Sequence, residues 1–254
     1  MIAIAHLSDI HIDDGPRSRE RAARVMSYVN GLSHVDAVVV TGDLADNGTL
    51  GEYAHVASLL KSPHMTITCP GNHDKRAEYR AGLLGEPAGD APVNQVMSTP
   101  GAVYVSLDSS IPGRPNGLIA DETLAWLDET LTSADTRKPA FVCFHHPPVD
   151  LGVPAVDRIR QFDESRLAEV LSRHSRVTAL LCGHAHTGAI TSFAGLPLLV
   201  APGVVSTTLL PFEPSGTRGW DEGGPLDLDA PPSLYFHILH DDGRLTSHLR
   251  VVPA

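Results

Sequence analysis

The sequence predicts a mixed α/β protein, and three features of its apolar pattern support this fold class. Short apolar runs alternate with segments of helical periodicity through roughly the first two thirds of the chain. The run Ala37–Thr41 (AVVVT) consists largely of β-branched residues, which favours a buried strand. After His186, apolar runs follow one another with turns between them. We therefore expect βαβ units first and a more antiparallel region at the end.

The predicted elements follow this pattern along the chain. The strands are expected at 2–7, 37–41, 65–69, 103–107, 140–144, 177–182, 189–193, 197–201, 234–239 and 245–251. The helices are expected at 17–32, 50–60, 121–131 and 164–173. Asp121 is of a residue type that often caps a helix N-terminus, so we predict that it caps the third helix.

Three segments are predicted to be loops because they are rich in glycine, proline and polar residues. They are 85–100, 109–117 and 211–232. Loops of such length are more often functional than idle, although the sequence leaves the role of each one open. The segment 211–232 is a candidate cap over a substrate or a contact between subunits.

The length and composition are typical of one globular domain that spans 1–254, with 42% hydrophobic and 19% charged residues. No apolar run reaches the ~18 residues that would suggest a membrane helix. The first residues lack a basic region and a small-residue cleavage site, and they are interpreted as a strand instead of a signal peptide. We expect a cytoplasmic protein with no membrane partner.

Charge and cysteine content narrow the possible partners. The formal net charge is −11, which disfavours binding to a nucleic acid polymer. A small anionic substrate is still compatible with this charge, because bound cations reverse its sign locally. Cys69, Cys143 and Cys182 form no CxxC pair and lie in or beside apolar runs, as expected for buried free thiols in a reducing compartment.

Polar motifs stand directly after five of the predicted strands. They are Asp9-Ile10-His11, Gly42-Asp43, Gly71-Asn72-His73-Asp74, His145-His146 and Gly183-His184-Ala185-His186. Ligands of open α/β sheets gather at the carboxyl ends of strands. We therefore expect these five motifs to meet at one site.

The residue types in these motifs predict metal binding. Residues i and i+2 of an extended segment point the same way, so Asp9 with His11, and His184 with His186, would each aim two ligands at one point. Carboxylate, imidazole and amide ligands without thiolate suit Mn, Fe, Zn or Co. The set is large enough for two divalent ions, with Asp43 as the natural bridge. Such a pair would hold a hydroxide and clamp a phosphoryl oxygen, and no serine or cysteine nucleophile would be needed.

The ordered motifs DxH, GD, GNHD, H and GHxH resemble those of the calcineurin-like metallophosphoesterase superfamily. The resemblance implies a four-layer α/β/β/α sandwich of two mixed sheets flanked by helices. It also implies a set of metal ligands: Asp9, His11 and His186 for one ion, Asn72, His145 and His184 for the other, and Asp43 between them. His73 would face the phosphate as a catalytic group, and Asp74 would orient His73 from behind.

Longer stretches narrow the resemblance to one branch. The segments SDIHID, VVVTGDLADNGTLGEY, PGNHDKR, FHHPP and CGHAH resemble those of class III cyclic-nucleotide phosphodiesterases and, equally, those of the related glycerophosphodiesterases. The arginine that follows the GD motif in protein phosphatases is absent. The resemblance thus implies a phosphodiesterase for a small diester, best a 3′,5′-cyclic nucleotide such as cAMP, with Asn72 and His73 contacting the substrate.

Several alternatives remain at this stage. A glycerophosphodiester is the second substrate candidate, and a broad phosphomonoesterase is the third. A non-enzymatic scaffold on the same fold would be expected to have lost ligands, and this chain retains them. His146 either contacts substrate or only lines the pocket wall, and Trp220 would cover a substrate or a partner subunit. Relatives of this branch often form dimers or larger assemblies, so a homo-oligomer is also expected.

Overall fold

The computed structural model describes residues 1–135 and 137–253. The strands are β1 (Ile2–Leu7), β2 (Ala37–Thr41), β3 (Thr66–Cys69), β4 (Gln95–Ser98), β5 (Val103–Ser106), β6 (Ser110–Ile111), β7 (Arg114–Gly117), β8 (Ala140–Cys143), β9 (Val177–Cys182), β10 (Ala189–Phe193), β11 (Leu196–Val200), β12 (Thr207–Thr208), β13 (Leu226–Asp227), β14 (Ser233–Leu239) and β15 (Leu245–Val251). The α-helices are α1 (Pro16–Asn30), α2 (Leu50–Leu59), α3 (Arg76–Tyr79), α4 (Asp121–Ser133), α5 (Pro154–Asp157) and α6 (Glu164–Ser172).

Two mixed sheets form the centre of the molecule. The first has the order β15-β14-β1-β2-β3, in which β1, β2 and β3 are parallel, β14 pairs antiparallel with β1, and β15 pairs antiparallel with β14. The second has the order β10-β11-β9-β8-β5-β4, with antiparallel strands at both edges of a parallel centre. The parallel strands of each sheet end at the same edge, and that edge is where the polar motifs lie.

Three apolar clusters separate four layers. One lies between the two sheets and contains Ile4, Val39, Phe141 and Leu181. A second joins the first sheet to α1 and α2, and a third joins the second sheet to α4 and α6. Successive side chains of a strand point to opposite faces, so each central strand supplies residues to two clusters. The α/β/β/α sandwich that the resemblance implied is therefore confirmed.

The helix ends show how local sequence positions the elements. A capping box opens α2, because the Thr49 hydroxyl accepts from the Glu52 amide at 3.3 Å while Glu52 accepts from the Thr49 amide at 2.9 Å. The predicted cap on α4 is wrong: Ala120 occupies the N-cap, and Asp121 is the first helical residue. A carboxylate in the first turn still interacts favourably with the helix dipole.

The predicted loops contain short elements that the sequence pattern did not indicate. Strand β4 lies within 85–100, the β6–β7 hairpin occupies most of 109–117, and 211–232 contains β13 and a 3₁₀ turn at Trp220–Glu222. These elements are too short for a detectable period, and each of the short strands pairs with a neighbouring strand in chain order. The terminal region is also less antiparallel than expected, because β11 runs parallel to β9. Among the described residues, no helix is both long and apolar enough to span a membrane.

Candidate metal centre

The predicted ligands come together where the two sheets meet. Asp9 and His11 follow β1, and Asp43 and Asn72 follow the next two strands of the same sheet, while the second sheet contributes its histidines after β8 and β9. Hydrogen bonds connect the two sheets at this point, for example from the His184 amide to Asp9 Oδ2 at 3.1 Å. The five motifs thus form one site, as the strand-end argument predicted.

The backbone at this site is strained. Among the described residues, nine other than glycine have a positive φ; five of these are predicted ligands, with φ angles between 39° and 68°. These are Asp9, His11, Asp43, His184 and His186. A left-handed residue other than glycine costs about 1–3 kcal/mol and persists where the surroundings impose it, often at functional sites. The expectation that each i, i+2 pair converges from extended backbone is therefore wrong, because left-handed turns aim these side chains instead.

Interatomic distances divide the ligands into two groups that share Asp43. In the first group, His186 Nε2 lies 3.4 Å from Asp9 Oδ1, and His11 Nε2 lies 3.2 Å from His186 Nε2. In the second group, His145 Nε2 lies 3.2 Å from His184 Nδ1. Asp43 Oδ2 is 3.5 Å from His11 Nε2 and 3.2 Å from His145 Nε2, so it reaches both groups.

These distances and the unpaired atoms fit divalent metal ions. Two nitrogen ligands of one tetrahedral ion, each about 2.0–2.1 Å from it, lie roughly 3.3 Å apart. Within the described part of the chain, the buried oxygens Asp9 Oδ1 and Asn72 Oδ1 have no hydrogen-bond partner. An unpaired buried oxygen is costly, and a cation bound at each of these two oxygens would satisfy it. The donor set therefore suits metal binding on geometry as well as on residue type.

Three histidines have their outer nitrogen held by an oxygen, so that Nε2 faces the centre. His145 Nδ1 donates to Thr41 O at 2.7 Å, His186 Nδ1 pairs with Ser206 Oγ at 2.7 Å, and His11 Nδ1 pairs with Asp46 Oδ1 at 3.0 Å. Such partners fix the ring orientation of metal-binding histidines. The sequence pattern did not indicate these three oxygen partners, although Asp46 lies only three residues after Asp43.

Burial and charge oppose each other in the centre. Burial disfavours the charged form of His145, but Asp43 and Asp9 outweigh it and raise the His145 pKa to about 9. Burial alone would raise the pKa of Asp43, whereas His145 holds that pKa well below its usual range. Burial dominates at Asp9 and raises its pKa to about 6. The buried carboxylates thus depend on nearby positive charge, which bound cations also supply.

His73 lies beside the candidate ligands, whereas Asp74 has different contacts from those that the resemblance implied. His73 Nδ1 donates to the main-chain oxygen of Asp46 at 2.7 Å, and His73 lines the cavity beside the ligands. The Asp74 carboxylate instead accepts from the Tyr53 hydroxyl and from the backbone amides of Leu44, Ala45 and Gly71. Asp74 therefore holds the Asp43 loop against the next loop, and the expectation that it orients His73 is wrong.

His146 is fully buried and lies behind the cavity wall. Its Nδ1 pairs with Ser109 Oγ at 2.8 Å, and its ring centroid lies 4.6 Å from that of His184. A side chain without solvent-exposed surface does not touch a bound substrate in this structure. The interpretation of His146 as a substrate contact is therefore wrong, and its position is that of a packing partner for His184.

A cavity of about 530 Å³ opens over the ligands. Its polar lining includes the candidate ligands His11, Asp43, Asn72, His184 and His186, together with His73. Its apolar lining consists of Pro115, Ile159, Val205, Trp220, Leu226 and Leu228. Cavities of ~300–1,000 Å³ hold small organic molecules. The loops 109–117 and 211–232 thus both contribute to this cavity.

Comparison with known proteins agrees with this site. Residues 2–188 match the family model described as calcineurin-like phosphoesterase. A protein named probable cyclic nucleotide phosphodiesterase from Rhodococcus erythropolis is 36% identical, over 86% of this chain and 76% of that protein. A protein named glycerophosphodiester phosphodiesterase GpdQ from Enterobacter lignolyticus is 32% identical, over 92% and 86% respectively.

The fold comparison is consistent with these relatives. The solved structure of a dimetal phosphatase from Danio rerio aligns over 99% of both chains, with a TM-score of 0.68 and 17% identity. The chain belongs to the calcineurin-like phosphoesterase family, as its motifs predicted. It is a metal-dependent phosphoesterase with a cluster of His and Asp side chains able to hold divalent ions.

Proposed function

We propose that this chain is a binuclear metal-dependent phosphodiesterase whose substrate is a 3′,5′-cyclic nucleotide. The observation that carries the proposal is the pair of ligand groups joined by Asp43, which line a cavity that also has apolar lining residues. The relative named as a cyclic nucleotide phosphodiesterase supports the substrate class. The relative named as a glycerophosphodiesterase makes a glycerophosphodiester the second candidate.

Seven side chains would hold the two ions. Asp9, His11 and His186 would bind one ion, Asn72, His145 and His184 the other, and Asp43 would bridge them. When bound, two divalent ions supply an activated water near neutral pH and neutralise charge on the phosphate. Mn, Fe, Zn and Co all suit this donor set, so the native metal is expected to depend on availability as well.

The half-exposed side chain of His73 would act on the leaving oxygen. Its Nδ1 proton is held by Asp46 O, so a protonated ring carries its second proton on Nε2. The Asp46 carboxylate also lies 3.6 Å from Nδ1. His73 would thereby stabilise the developing alkoxide or donate a proton to it. Asn72, adjacent in the chain, would bind both an ion and the phosphate.

The remaining expectations from the sequence accompany this proposal. We retain a single catalytic unit over 1–254, a cytoplasmic location, and no nucleic acid polymer as partner. The net charge of −11 supports the last of these. The oligomeric state stays a prediction, and 211–232 is assigned to the cavity wall in preference to a subunit contact because its residues line the cavity.

The test uses the purified chain, stripped of metal and reloaded with Mn²⁺. Hydrolysis of cAMP, bis(p-nitrophenyl) phosphate and p-nitrophenyl phosphate is measured for wild type, Asp43→Asn and the control Asp242→Asn. We expect diesters to be preferred and Asp43→Asn to lower kcat/KM at least roughly 100-fold, since several kcal/mol of charge stabilisation is lost. Asp242 is an exposed residue in the β14–β15 turn, so its variant should be unchanged.

Metal content measured on the same samples provides an independent result. Wild type and the control should each retain two ions per chain, and Asp43→Asn fewer. No turnover of any diester with Mn²⁺, Fe²⁺, Zn²⁺ or Co²⁺ would contradict the phosphodiesterase proposal. A clear preference for p-nitrophenyl phosphate over both diesters would instead favour a phosphomonoesterase.

A further inference from the structure

The apolar lining of the cavity is composed of residues from distant parts of the chain. We call this surface the apolar wall, and it consists of Pro115, Ile159, Val205, Trp220, Leu226 and Leu228. Trp220 and Leu228 retain 46% and 52% of their surface exposed. Large apolar side chains grouped at the mouth of a cavity often mark a surface that a ligand covers. None of these residues takes part in the metal chemistry described above.

The indole of Trp220 is held in one orientation. Its Nε1 donates to the main-chain oxygen of Ala155 at 3.0 Å. Gly224 lies against the benzo ring and has a φ of +72°, and a Cβ built there would be 2.6 Å from ring atoms Cε3 and Cζ3. The ring is thus fixed by the hydrogen bond and by Gly224 on one side. A preorganised aromatic side chain loses little entropy when a ligand stacks on it.

The two leucines are tied to the rest of the protein. Leu226 belongs to β13, which pairs with β12 directly after the metal-centre residue Ser206. The Arg17 guanidinium donates to Val205 O at 2.8 Å and also to Leu228 O. Helix α1 therefore holds both chain segments that form this part of the apolar wall. Although 211–232 is largely irregular, the wall that it forms is anchored.

We propose that the apolar wall binds the nucleobase of the substrate and that Trp220 determines the choice between a cyclic nucleotide and a glycerophosphodiester. This inference rests on the proposed function, which places the phosphate at the candidate metal ligands. The apolar lining of the same cavity is then available to the organic group of the diester. A flat aromatic base covers an indole and neighbouring leucines well, and stacking on one aromatic side chain is worth ~1–3 kcal/mol.

The composition of the apolar wall favours a base over a cationic headgroup. Quaternary ammonium groups are recognised by cages of several aromatic rings. The apolar wall combines one indole with five aliphatic or proline side chains, so it provides a surface instead of a cage. A glycerol group is small and polar, and it would leave the same surface uncovered.

The first test compares substrates across variants of the Mn²⁺-loaded chain. Trp220→Ala should lower kcat/KM for cAMP roughly tenfold or more, chiefly through KM, because stacking is lost. Turnover of glycerophosphocholine should change little, and Trp220→Phe should restore most of the cAMP activity. Phe212→Ala is the matched control, since Phe212 lies in the same loop, is 84% exposed and does not line the cavity.

The second test measures binding without turnover. The chain has two tryptophans, so Trp126→Phe leaves Trp220 as the remaining fluorophore. We expect 5′-AMP to quench its emission saturably and ribose 5-phosphate to leave it unchanged. Equal quenching by both compounds, or an equal loss of both activities in Trp220→Ala, would overturn the inference. If the proposed function is wrong, the wild-type chain hydrolyses no diester. The quenching experiment measures binding alone, so its result does not depend on turnover.

Discussion

The hydroxyl of Tyr53 connects the helical layer to the metal centre, and its removal tests how Asp74 holds the site loops. The hydroxyl donates to Asp74 Oδ1 at 2.8 Å and accepts from the Lys75 amide at 3.1 Å. The ring itself is fully buried and lies edge-on to Tyr79, with centroids 5.6 Å apart. Tyr53→Phe keeps this packing and removes only the two hydrogen bonds.

The expected cost follows from the two bonds. A hydrogen bond to a charged group contributes about 1.5–3 kcal/mol and one between neutral groups about 0.5–1.5, so the free energy of unfolding should fall by about 2–4 kcal/mol at pH 8. Tyr79→Phe is the matched control, because the Tyr79 hydroxyl pairs with the neutral hydroxyl of Thr68 in the same cluster. That variant should lose only about 0.5–1.5 kcal/mol.

The cost should also depend on pH, because Asp74 titrates. Burial and the neighbouring Asp43 raise the pKa of Asp74 from 3.8 to about 6. A carboxyl whose pKa is raised by folding adds stability below pH ~4, and this contribution is lost as pH rises through about 6. The charged carboxylate at pH 8 therefore depends most on its donors. The cost of Tyr53→Phe should be smaller at pH 5, where the group is protonated.

Urea unfolding of the metal-free chain at both pH values measures these costs. Mn²⁺ titration of the same variants extends the test to function. Asp74 also accepts hydrogen bonds from the two backbone amides that follow Asp43. Disturbing a residue that supports a metal ligand in this way typically weakens metal affinity ~10–100-fold, and we expect this of Tyr53→Phe. The role of the Tyr53 hydroxyl is refuted if Tyr53→Phe lowers the free energy of unfolding no more than Tyr79→Phe does, or by the same amount at pH 5 as at pH 8.

Two further predictions concern packing and buried charge. A Cβ on Gly71 would lie 2.2 Å from Asp43 Oδ1 and 2.5 Å from its amide nitrogen, so Gly71→Ala should abolish binding of two Mn²⁺ ions per chain, measured by mass spectrometry. The control Gly51→Ala, at an exposed helix position, should still bind two Mn²⁺ ions per chain. Binding of two ions by Gly71→Ala would contradict the geometric prediction. Burial lowers the pKa of His237 from 6.5 to about 3, so the neutral buried ring costs no stability above pH 6.5. As pH falls from 6.5 towards 3, the unfolded chain binds a proton that the folded chain does not. The free energy of unfolding should then decrease by up to about 1.4 kcal/mol per pH unit. His237→Gln should reduce this slope in urea unfolding by up to one proton, and a reduction no larger than that of the exposed control His55→Gln would contradict it.

The long elements were predictable because their apolar patterns are strong. The run Ala37–Thr41 is buried at every position, and the helices near 17–32 and 121–131 formed within a few residues of their expected bounds. Strand β4 was missed because its four residues at a sheet edge alternate only weakly between half-buried and exposed. Its stability comes from pairing with β5, which residue order alone does not indicate.

The residues of the candidate site could be predicted from the sequence, but the contacts that orient them could not. Residues at the ends of parallel strands meet at one edge of a sheet, so a motif after each strand was enough to predict a common site. The oxygen atoms that orient the histidine rings could not be predicted in this way. Thr41 O and Ser206 Oγ reach their histidines across the fold, 104 and 20 residues away in the chain. A main-chain oxygen carries no sequence signal at all.

The sequence by itself determined which side chains are available as ligands, namely Asp43 and six others. It also determined the strand ends at which they stand, because the order of elements and the parallel pairing follow from local pattern. Only the tertiary structure decided how they converge, through left-handed backbone that the two packed sheets impose. It also decided that Asp74 stabilises loops instead of His73, and that Trp220 lies on the cavity. The reason is the same in each case: these placements depend on contacts between residues far apart in the chain, whose energies no local pattern expresses.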